Sequence, residues 1–188
     1  GFFALTPVHR QCAKRGIAVL NTDNINNAEG QDFIRQQSNA LLVTAMFNQK
    51  LSAETLALKN ICCVNLHPGK LPEYRGFDPV LIALQHKQAI CEITLHKTEA
   101  EFDAGDIISS QGLAVDLSQS VFWHQHQLFQ LGGKLLSDYL SARGENLSGI
   151  TKPQEGEAAY YSWPNKKAMP DVGKLISLSD IKTLLFSR

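Results

Sequence analysis

The sequence predicts an α/β fold with a mostly parallel sheet, because short apolar runs alternate with segments of helical spacing. The apolar runs, which are typical of strands, are residues 17–20, 40–46 and 61–64. The segments with helical spacing are residues 7–15, 29–37 and 52–58. Alternation of helices and strands favours a parallel sheet, since each helix returns the chain to the edge where the next strand begins.

Local signals support the individual elements. Residues 40–46 form a nearly continuous apolar run, which is typical of a strand buried on both faces. Gly16 is placed to end the first helix. Ser52 supplies an N-cap hydroxyl, and Glu54 supplies an acidic side chain in the first turn of the helix that follows.

The second half of the chain is expected to complete the domain and to add a short tail. We predict a helix at residues 79–86, strands at 92–97 and 107–114 joined by an acidic loop, and a long helix at 120–140 interrupted by Gly132 and Gly133. From Gly144 the composition becomes polar and glycine-rich. We therefore expect a catalytic domain at residues 1–143 and a C-terminal appendage at residues 144–188, with one or two short strands and a terminal helix.

Composition and charge narrow the classes of protein to consider. Lys and Arg together number 18, as do Asp and Glu, so there is no basic footprint for nucleic acid and we do not expect a nucleic-acid partner. The longest apolar run, residues 40–47, is far short of the roughly 20 residues that cross a bilayer. No C-x-x-C pair occurs among Cys12, Cys62, Cys63 and Cys91, which favours reduced thiols and a cytoplasmic location.

Three polar side chains form a candidate catalytic group. Asn65 and His67 follow the predicted strand at residues 61–64, and their i, i+2 spacing points both side chains the same way. Asp103 lies in the acidic loop. Asn65 and His67 could donate hydrogen bonds to a developing oxyanion, and Asp103 could keep the imidazole protonated and accept a proton. By spacing alone, such residues more often serve hydrogen bonding within loops and turns than catalysis.

Three separated motifs, taken together, resemble the folate-dependent formyltransferase superfamily. They are NLHPGKLPEYRG at residues 65–76, ITLH at 93–96 and FDAGDI at 102–107, and the stretch at residues 6–26 resembles the segment that precedes the family core. The family includes methionyl-tRNA formyltransferase, glycinamide ribonucleotide transformylase and the sugar-amine N-formyltransferases. The resemblance, over roughly residues 6–114, implies a Rossmann-like domain that transfers a formyl group from 10-formyltetrahydrofolate to an amine.

The resemblance also assigns roles to individual residues. Asn65, His67 and Asp103 would be the catalytic residues. Apart from the resemblance, the place of His96 in the strand before the acidic loop indicates a satisfied core residue or a support for the site rather than a direct catalyst. The residues expected to bind the folate are Phe47, Asn48, Leu51, Gly69, Lys70, Leu71, Pro72, Ala100 and Phe102. Gly69 and Lys70 replace the Ser-Leu pair that usually follows His-Pro in the family.

No metal site is expected, because His124 and His126 are two positions apart on a helix and do not share a face.

Several alternatives stay open. The family opens with a strand, a helix and a strand that build the centre of the sheet, and we expect this unit to be missing here or supplied by a partner. The acceptor could be a small amine, a nucleotide-linked amino sugar or a carrier-bound aminoacyl group, and a homodimer is a further candidate assembly. Alternative functions are a methionyl-tRNA formyltransferase-like enzyme, a formyltetrahydrofolate hydrolase and a catalytically silent folate-binding module. Tyr160, Tyr161 and Trp163 could pack the tail or contact an acceptor.

Overall fold

The computed structural model describes residues 7–37, 40–58, 61–143, 151–162 and 175–186. The chain divides into two compact units, Gly1–Ser38 and Asn39–Arg188. Trp163 and the first residues of the predicted appendage lie outside the described ranges. No helix in those ranges is both long enough and apolar enough to cross a membrane.

The first unit contains two of the predicted helices. They are α1 (Pro7–Lys14) and α2 (Ala28–Arg35), and the Asn27 side chain caps α2 by accepting a hydrogen bond from the Gly30 N–H at 2.8 Å. The predicted strand at residues 17–20 is wrong, since these residues leave α1 as irregular chain. In the described part of this unit no strand is present to pair with them, and an apolar run alone does not make a strand.

The second unit is built on a four-stranded sheet. The strands of this unit are β1 (Ala40–Ala45), β2 (Ile61–His67), β3 (Arg75–Gly76), β4 (Ile90–Lys97), β5 (Ile107–Ala114) and β6 (Tyr160–Tyr161), and the four-stranded sheet has the order β1-β2-β4-β5. Its helices are α3 (Ala53–Leu56), α4 (Pro79–Gln85), α5 (Val121–Arg143) and α6 (Leu178–Phe186). The predicted α/β class is confirmed, and Ser52 caps α3 by accepting from the Thr55 N–H at 3.2 Å.

The sheet is mixed rather than mostly parallel in the described strands. β1 and β2 are parallel, whereas β2 with β4 and β4 with β5 are antiparallel. The loop between β4 and β5 is too short to carry a crossover, so it can only reverse the chain and form an antiparallel pair. The prediction of two strands joined by an acidic loop is confirmed. A loop of this length already implies an antiparallel pair, which the expectation of a mostly parallel sheet did not take into account.

Helix α5 covers one face of the sheet and is continuous through Gly132 and Gly133, so the predicted interruption is wrong. A Cβ atom at Gly132 would lie 3.1 Å from Ile93 and 3.2 Å from Leu66, which shows that this glycine lets the helix approach the sheet closely. The buried core between helices and sheet includes Val64, Leu66, Ile93, Leu95 and Leu128.

The described parts of the tail return to the sheet. β6 pairs in parallel with β3, and Lys152 exchanges backbone hydrogen bonds with Ile107 at the start of β5. In α6, Asp180 accepts a hydrogen bond from the Ser120 hydroxyl at 2.5 Å, next to the start of α5. We call residues 151–162 the strap. The predicted division between a catalytic domain and an appendage at residue 143 stays a prediction.

Candidate active site

The three predicted catalytic side chains lie together. β2 continues to His67, so Asn65 and His67 belong to the strand and point to the same face, instead of following the strand as predicted. The loop after β4 brings Asp103 against both of them. Its Oδ1 atom lies 3.1 Å from Asn65 Nδ2 and 3.3 Å from His67 Nδ1.

The His67 ring is buried and held at both nitrogens. Nε2 donates to the carbonyl oxygen of Tyr74 at 2.6 Å, because a carbonyl can only accept. Nδ1 faces the Asp103 carboxylate, and this contact is a hydrogen bond only when Nδ1 carries a proton. The side chain of His67 is 5% exposed. A ring with protons on both nitrogens therefore satisfies both contacts.

Close contacts around residue 69 explain why this chain has a glycine where the family usually has a serine. A Cβ atom at this position would lie 2.8 Å from His67 Nε2, 2.9 Å from the Tyr74 oxygen and 2.5 Å from the Pro79 Cβ. The chain after His67 can therefore close on the imidazole only if residue 69 has no side chain. Lys70 points away to solvent and pairs with Glu73.

The Asn65 carboxamide is oriented by its neighbours. Nδ2 must face Asp103, because a carboxylate only accepts, and Oδ1 lies 2.9 Å from the Thr44 hydroxyl. The second neighbour of Nδ2 is His96 Nε2 at 3.2 Å. His96 donates from Nδ1 to the Lys97 carbonyl at 2.7 Å, which leaves Nε2 of a neutral ring free to accept from Asn65. Both hydrogens of the Asn65 amide therefore have acceptors.

Asp103 is held as a carboxylate in a strained backbone conformation. Its φ of 53° lies in the left-handed region, which is unfavourable for residues other than glycine. Oδ2 accepts the Gly76 N–H at 2.9 Å. Burial raises the pKa of Asp103, but hydrogen bonds from His67 and from the Gly76 N–H, with the charge of His67, outweigh burial and hold this pKa far below its usual value.

The candidate catalytic group lines a cavity of about 600 Å³, which falls in the usual range for small-molecule sites. Of the residues predicted to bind folate, the cavity is lined by Phe47, Asn48, Leu51 and Phe102. The other predicted folate residues, Gly69, Lys70, Leu71, Pro72 and Ala100, are not among its lining residues. Lys50 also lines the cavity, and its Nζ lies 5.0 Å from the Phe102 ring centre and 3.6 Å from a carboxylate oxygen of Glu101.

The cavity also has a polar part, of which the sequence analysis named only Tyr160, as a residue that could contact an acceptor. Asp78, Gln125 and Tyr160 line it, and Gln125 Nε2 donates to Asp78 Oδ1 at 2.9 Å. Burial raises the pKa of Asp78, against hydrogen bonds from Leu81 and Gln125 that lower it. Asp78 caps α4, Gln125 lies on α5 and Tyr160 lies in the strap, so no local motif links them.

The histidines of α5 do not form a metal site. His124 donates from Nδ1 to the Ser120 carbonyl at 2.7 Å and accepts the Asp116 N–H on Nε2 at 3.1 Å, so both ring nitrogens are used. Across the described ranges, no group of three or more His, Cys, Asp or Glu side chains is placed to hold a metal ion.

Comparison with known proteins agrees with this geometry. Residues 5–140 match the family model for formyl transferases. Methionyl-tRNA formyltransferase of Halothermothrix orenii is 32% identical over 155 residues, which are 82% of this chain and 49% of that protein. The enzyme of the same name from Limosilactobacillus fermentum is 32% identical over 161 residues, 85% of this chain and 50% of that protein. The fold and site thus define a formyl transferase domain, and the chain belongs to the formyl transferase family.

Solved structures show the same fold. A 4-N formyltransferase from Francisella tularensis superposes with a TM-score of 0.65 at 21% identity, covering 98% of this chain and 73% of that chain. An N-formyltransferase from Helicobacter canadensis, solved with folinic acid and dTDP-3-aminofucose, gives a TM-score of 0.67 at 15% identity, covering 82% and 54%. At these identities the likeness concerns the fold alone. This chain spans about half the length of the curated relatives that it matches.

Proposed function

We propose that the protein transfers a formyl group from 10-formyltetrahydrofolate to an amine. The observation that carries this proposal is the contact of Asn65, His67 and Asp103 inside a cavity whose wall includes Phe47, Leu51 and Phe102. Apolar side chains suit the pterin ring of the folate, and the polar group provides what acyl transfer to an amine requires. Family membership supports the same chemistry.

In the proposed reaction, the amine nitrogen forms a bond to the formyl carbon while the carbonyl oxygen becomes an oxyanion. Asn65 donates to that oxygen from Nδ2. To do so it must give up one acceptor, and we expect this to be His96, because the bond to the Asp103 carboxylate is charge-assisted and stronger. His67 stands beside the same carboxylate, with Nδ1 at 3.3 Å from Asp103 Oδ1.

Asp103 stabilises the positive charge that develops on the attacking nitrogen. That nitrogen becomes positive when it bonds to the formyl carbon, and a carboxylate whose pKa is held low stays ionised and stabilises the charge. The bond between the formyl carbon and N10 of the folate then breaks, and the proton of the amine passes to N10, directly or through water at Asp103. The products are a formamide and tetrahydrofolate.

For the acceptor, we propose a small amine, such as an amino sugar carried on a nucleotide. The balanced charge of 18 basic and 18 acidic residues supports an acceptor smaller than a nucleic acid. The cavity adds Asp78, Gln125 and Tyr160, which offer hydrogen bonds and an aromatic face to a sugar or a base. The cytoplasmic location and the homodimer stay predictions.

A tRNA-bound acceptor is the second candidate. It is favoured by the 32% identity to two proteins named methionyl-tRNA formyltransferase. A panel that contains aminoacyl-tRNA, nucleotide-linked amino sugars and water alone separates these acceptors and also tests the hydrolase. Tetrahydrofolate released at the same rate without any amine would identify a hydrolase.

The proposal is tested by calorimetry with 5-formyltetrahydrofolate, followed by the acceptor panel with 10-formyltetrahydrofolate. We expect binding by the wild type and loss of about 100- to 1000-fold in turnover for Asp103→Asn, which keeps the shape of the side chain but removes its charge. Asp138→Asn, on the exposed side of α5, is the matched control and should be as active as the wild type. Absence of folate binding, or full activity of Asp103→Asn, would refute the proposal.

A further inference from the structure

The strap contacts β3, which follows the strand that carries Asn65 and His67, and the loop that carries Asp103. Gln154, which is half-buried in it, donates from Nε2 to the carbonyl oxygens of Asp103 and Gly105, each at 2.8 Å. Its Oε1 accepts from Arg75 Nε at 3.1 Å and from Arg75 Nη2 at 2.7 Å. One side chain thus joins β3 to the loop after β4.

The orientation of the Gln154 amide follows from its partners. Arginine only donates and carbonyl oxygens only accept, so Oε1 must face Arg75 and Nε2 must face the loop. The two hydrogens and the two lone pairs of the amide are all used. Glutamate lacks the donors and lysine lacks the acceptor, so neither can reproduce this pattern.

These bonds close a ring around Asp103. Gly76 donates its N–H to the Asp103 carboxylate, Arg75 precedes Gly76 in β3, and Arg75 reaches the Asp103 carbonyl through Gln154. The backbone of Asp103 is in the left-handed region, where a non-glycine residue persists only when its surroundings hold it. Gln154 holds the carbonyl end of this residue, and the catalytic group holds the carboxylate end.

The strap is attached at other points along its length, which makes Gln154 a fixed support. Thr151 Oγ1 donates to Asp106 Oδ2 at 3.0 Å, and Lys152 exchanges two backbone hydrogen bonds with Ile107. Towards its other end, Ala159 and Tyr161 accept backbone hydrogen bonds from Arg75 and Phe77. The strap therefore follows β3 and the loop after β4 and does not lie loosely beside them.

We propose that Gln154 is a positioning residue for formyl transfer, which sets the place of the Asp103 carboxylate through the backbone of its loop. The inference rests on the proposed function for its effect on turnover, but the placement of Asp103 can be tested without any reaction. It assigns part of the tail to the working site, although the sequence analysis treated the tail as an appendage.

The experiment compares Gln154→Ala and Gln154→Glu with the wild-type full-length chain. Alanine removes all four hydrogen bonds. Glutamate, ionised at neutral pH, keeps a charge-assisted bond to Arg75 but sets a carboxylate against two carbonyl oxygens. We expect turnover to fall about 10- to 100-fold in both, because a small displacement of a catalytic group has effects of this size. Gln111→Ala, an exposed glutamine of β5, is the matched control.

The second measurement is the amide resonance of Gly76, whose N–H donates to Asp103. In both Gln154 variants we expect this resonance to move towards its position in Asp103→Asn, while the melting temperature of Gln154→Glu stays near that of the wild type. Activity that falls only in proportion to thermal stability, with the Gly76 resonance unmoved, would overturn the inference. Wild-type turnover in both variants would also overturn it.

The two proposals fail in different ways. If the wild type transfers no formyl group to any acceptor, the proposed function is refuted, and the Gly76 resonance still decides whether Gln154 sets the place of Asp103. If the wild type is active and the Gln154 variants match it, the proposed function stands and the positioning role is refuted.

Discussion

The two halves of the candidate site are held by different forces. Asn65 and His67 lie on β2, where the backbone is regular and Leu66 between them is buried against α5. Asp103 lies in a loop with a strained backbone and is held by hydrogen bonds from distant parts of the chain. Packing fixes the strand half, and polar contacts fix the loop half. Substitutions in the strand half and in the loop half should therefore change thermal stability and turnover to different degrees.

The largest effect is expected from Asn65→Ala on the strand half. It removes the proposed oxyanion donor and should lower turnover about 100- to 1000-fold. Because Asn65 is not part of the apolar core, the melting temperature should change little by comparison. Steady-state turnover and thermal unfolding of the same preparation measure both quantities. Turnover within a factor of three of wild type would show that Asn65 does not stabilise the transition state.

On the loop half, Gly105→Ala tests the backbone that supports Asp103. A Cβ atom at residue 105 would lie 2.0 Å from the carbonyl oxygen of Lys97, which is backbone and cannot turn aside. The loop must move, and we expect turnover to fall about 100-fold through displacement of Asp103. The Gly76 amide resonance should move as well. An active variant with an unmoved resonance would show that the loop absorbs the methyl group without shifting the carboxylate.

Much of the fold, and the strand half of the site, could be predicted from the sequence. The i, i+2 spacing of Asn65 and His67 gives their common face directly, and the apolar runs at β1 and β2 mark the strands that carry the site. Asp103 was a candidate from its chemistry, but its place in the site depended on the resemblance to a family, because a loop aspartate near a glycine has many local explanations. Its conformation has no local signal.

The features that sequence analysis missed depend on contacts between distant segments. Gln154 lies in a polar stretch without pattern, and its partners are far away in the chain, so only the fold brings them together. The same holds for Asp78 and Gln125 at the cavity. The strand predicted at residues 17–20 failed for the opposite reason, because an apolar run gives no information on whether a pairing partner exists.

The electrostatics of the loop half predict how stability depends on pH. The pKa of Asp103 is lowered on folding, so its ionised form stabilises the native state above its usual pKa of about 3.9, and this contribution is lost as the pH falls below that value. Asp103→Asn lacks the contribution at every pH. The free energy of unfolding of wild type minus that of Asp103→Asn should therefore fall between pH 5 and pH 2.5.

Urea unfolding at several pH values measures this difference. Each unit by which folding lowers the pKa corresponds to about 1.4 kcal/mol, and we expect a fall of at least that size. Asp138→Asn is again the matched control, because Asp138 is exposed, and its difference from wild type should stay nearly flat with pH. A flat difference for Asp103→Asn would show that its carboxylate gains nothing from its neighbours on folding.

The smallest effects are expected from the two adjacent glycines of α5, which probe the packing behind the strand half. A Cβ atom at Gly133 meets nothing within 4 Å, so Gly133→Ala should stabilise the protein by up to about 1 kcal/mol through helix propensity. At Gly132 the new methyl group would press on Leu66 and Ile93, and this crowding should cancel the gain or reverse it. Thermal unfolding of the two variants measures the contrast.

Both glycine variants should keep turnover within a few-fold of wild type, because packing distributes a small shift over many contacts and the polar group on the other face of β2 keeps its partners. Equal stabilisation by Gly132→Ala and Gly133→Ala would mean that α5 does not pack closely on β2. A large loss of turnover in Gly132→Ala without loss of stability would show that the strand half, like the loop half, depends on exact placement more than on packing.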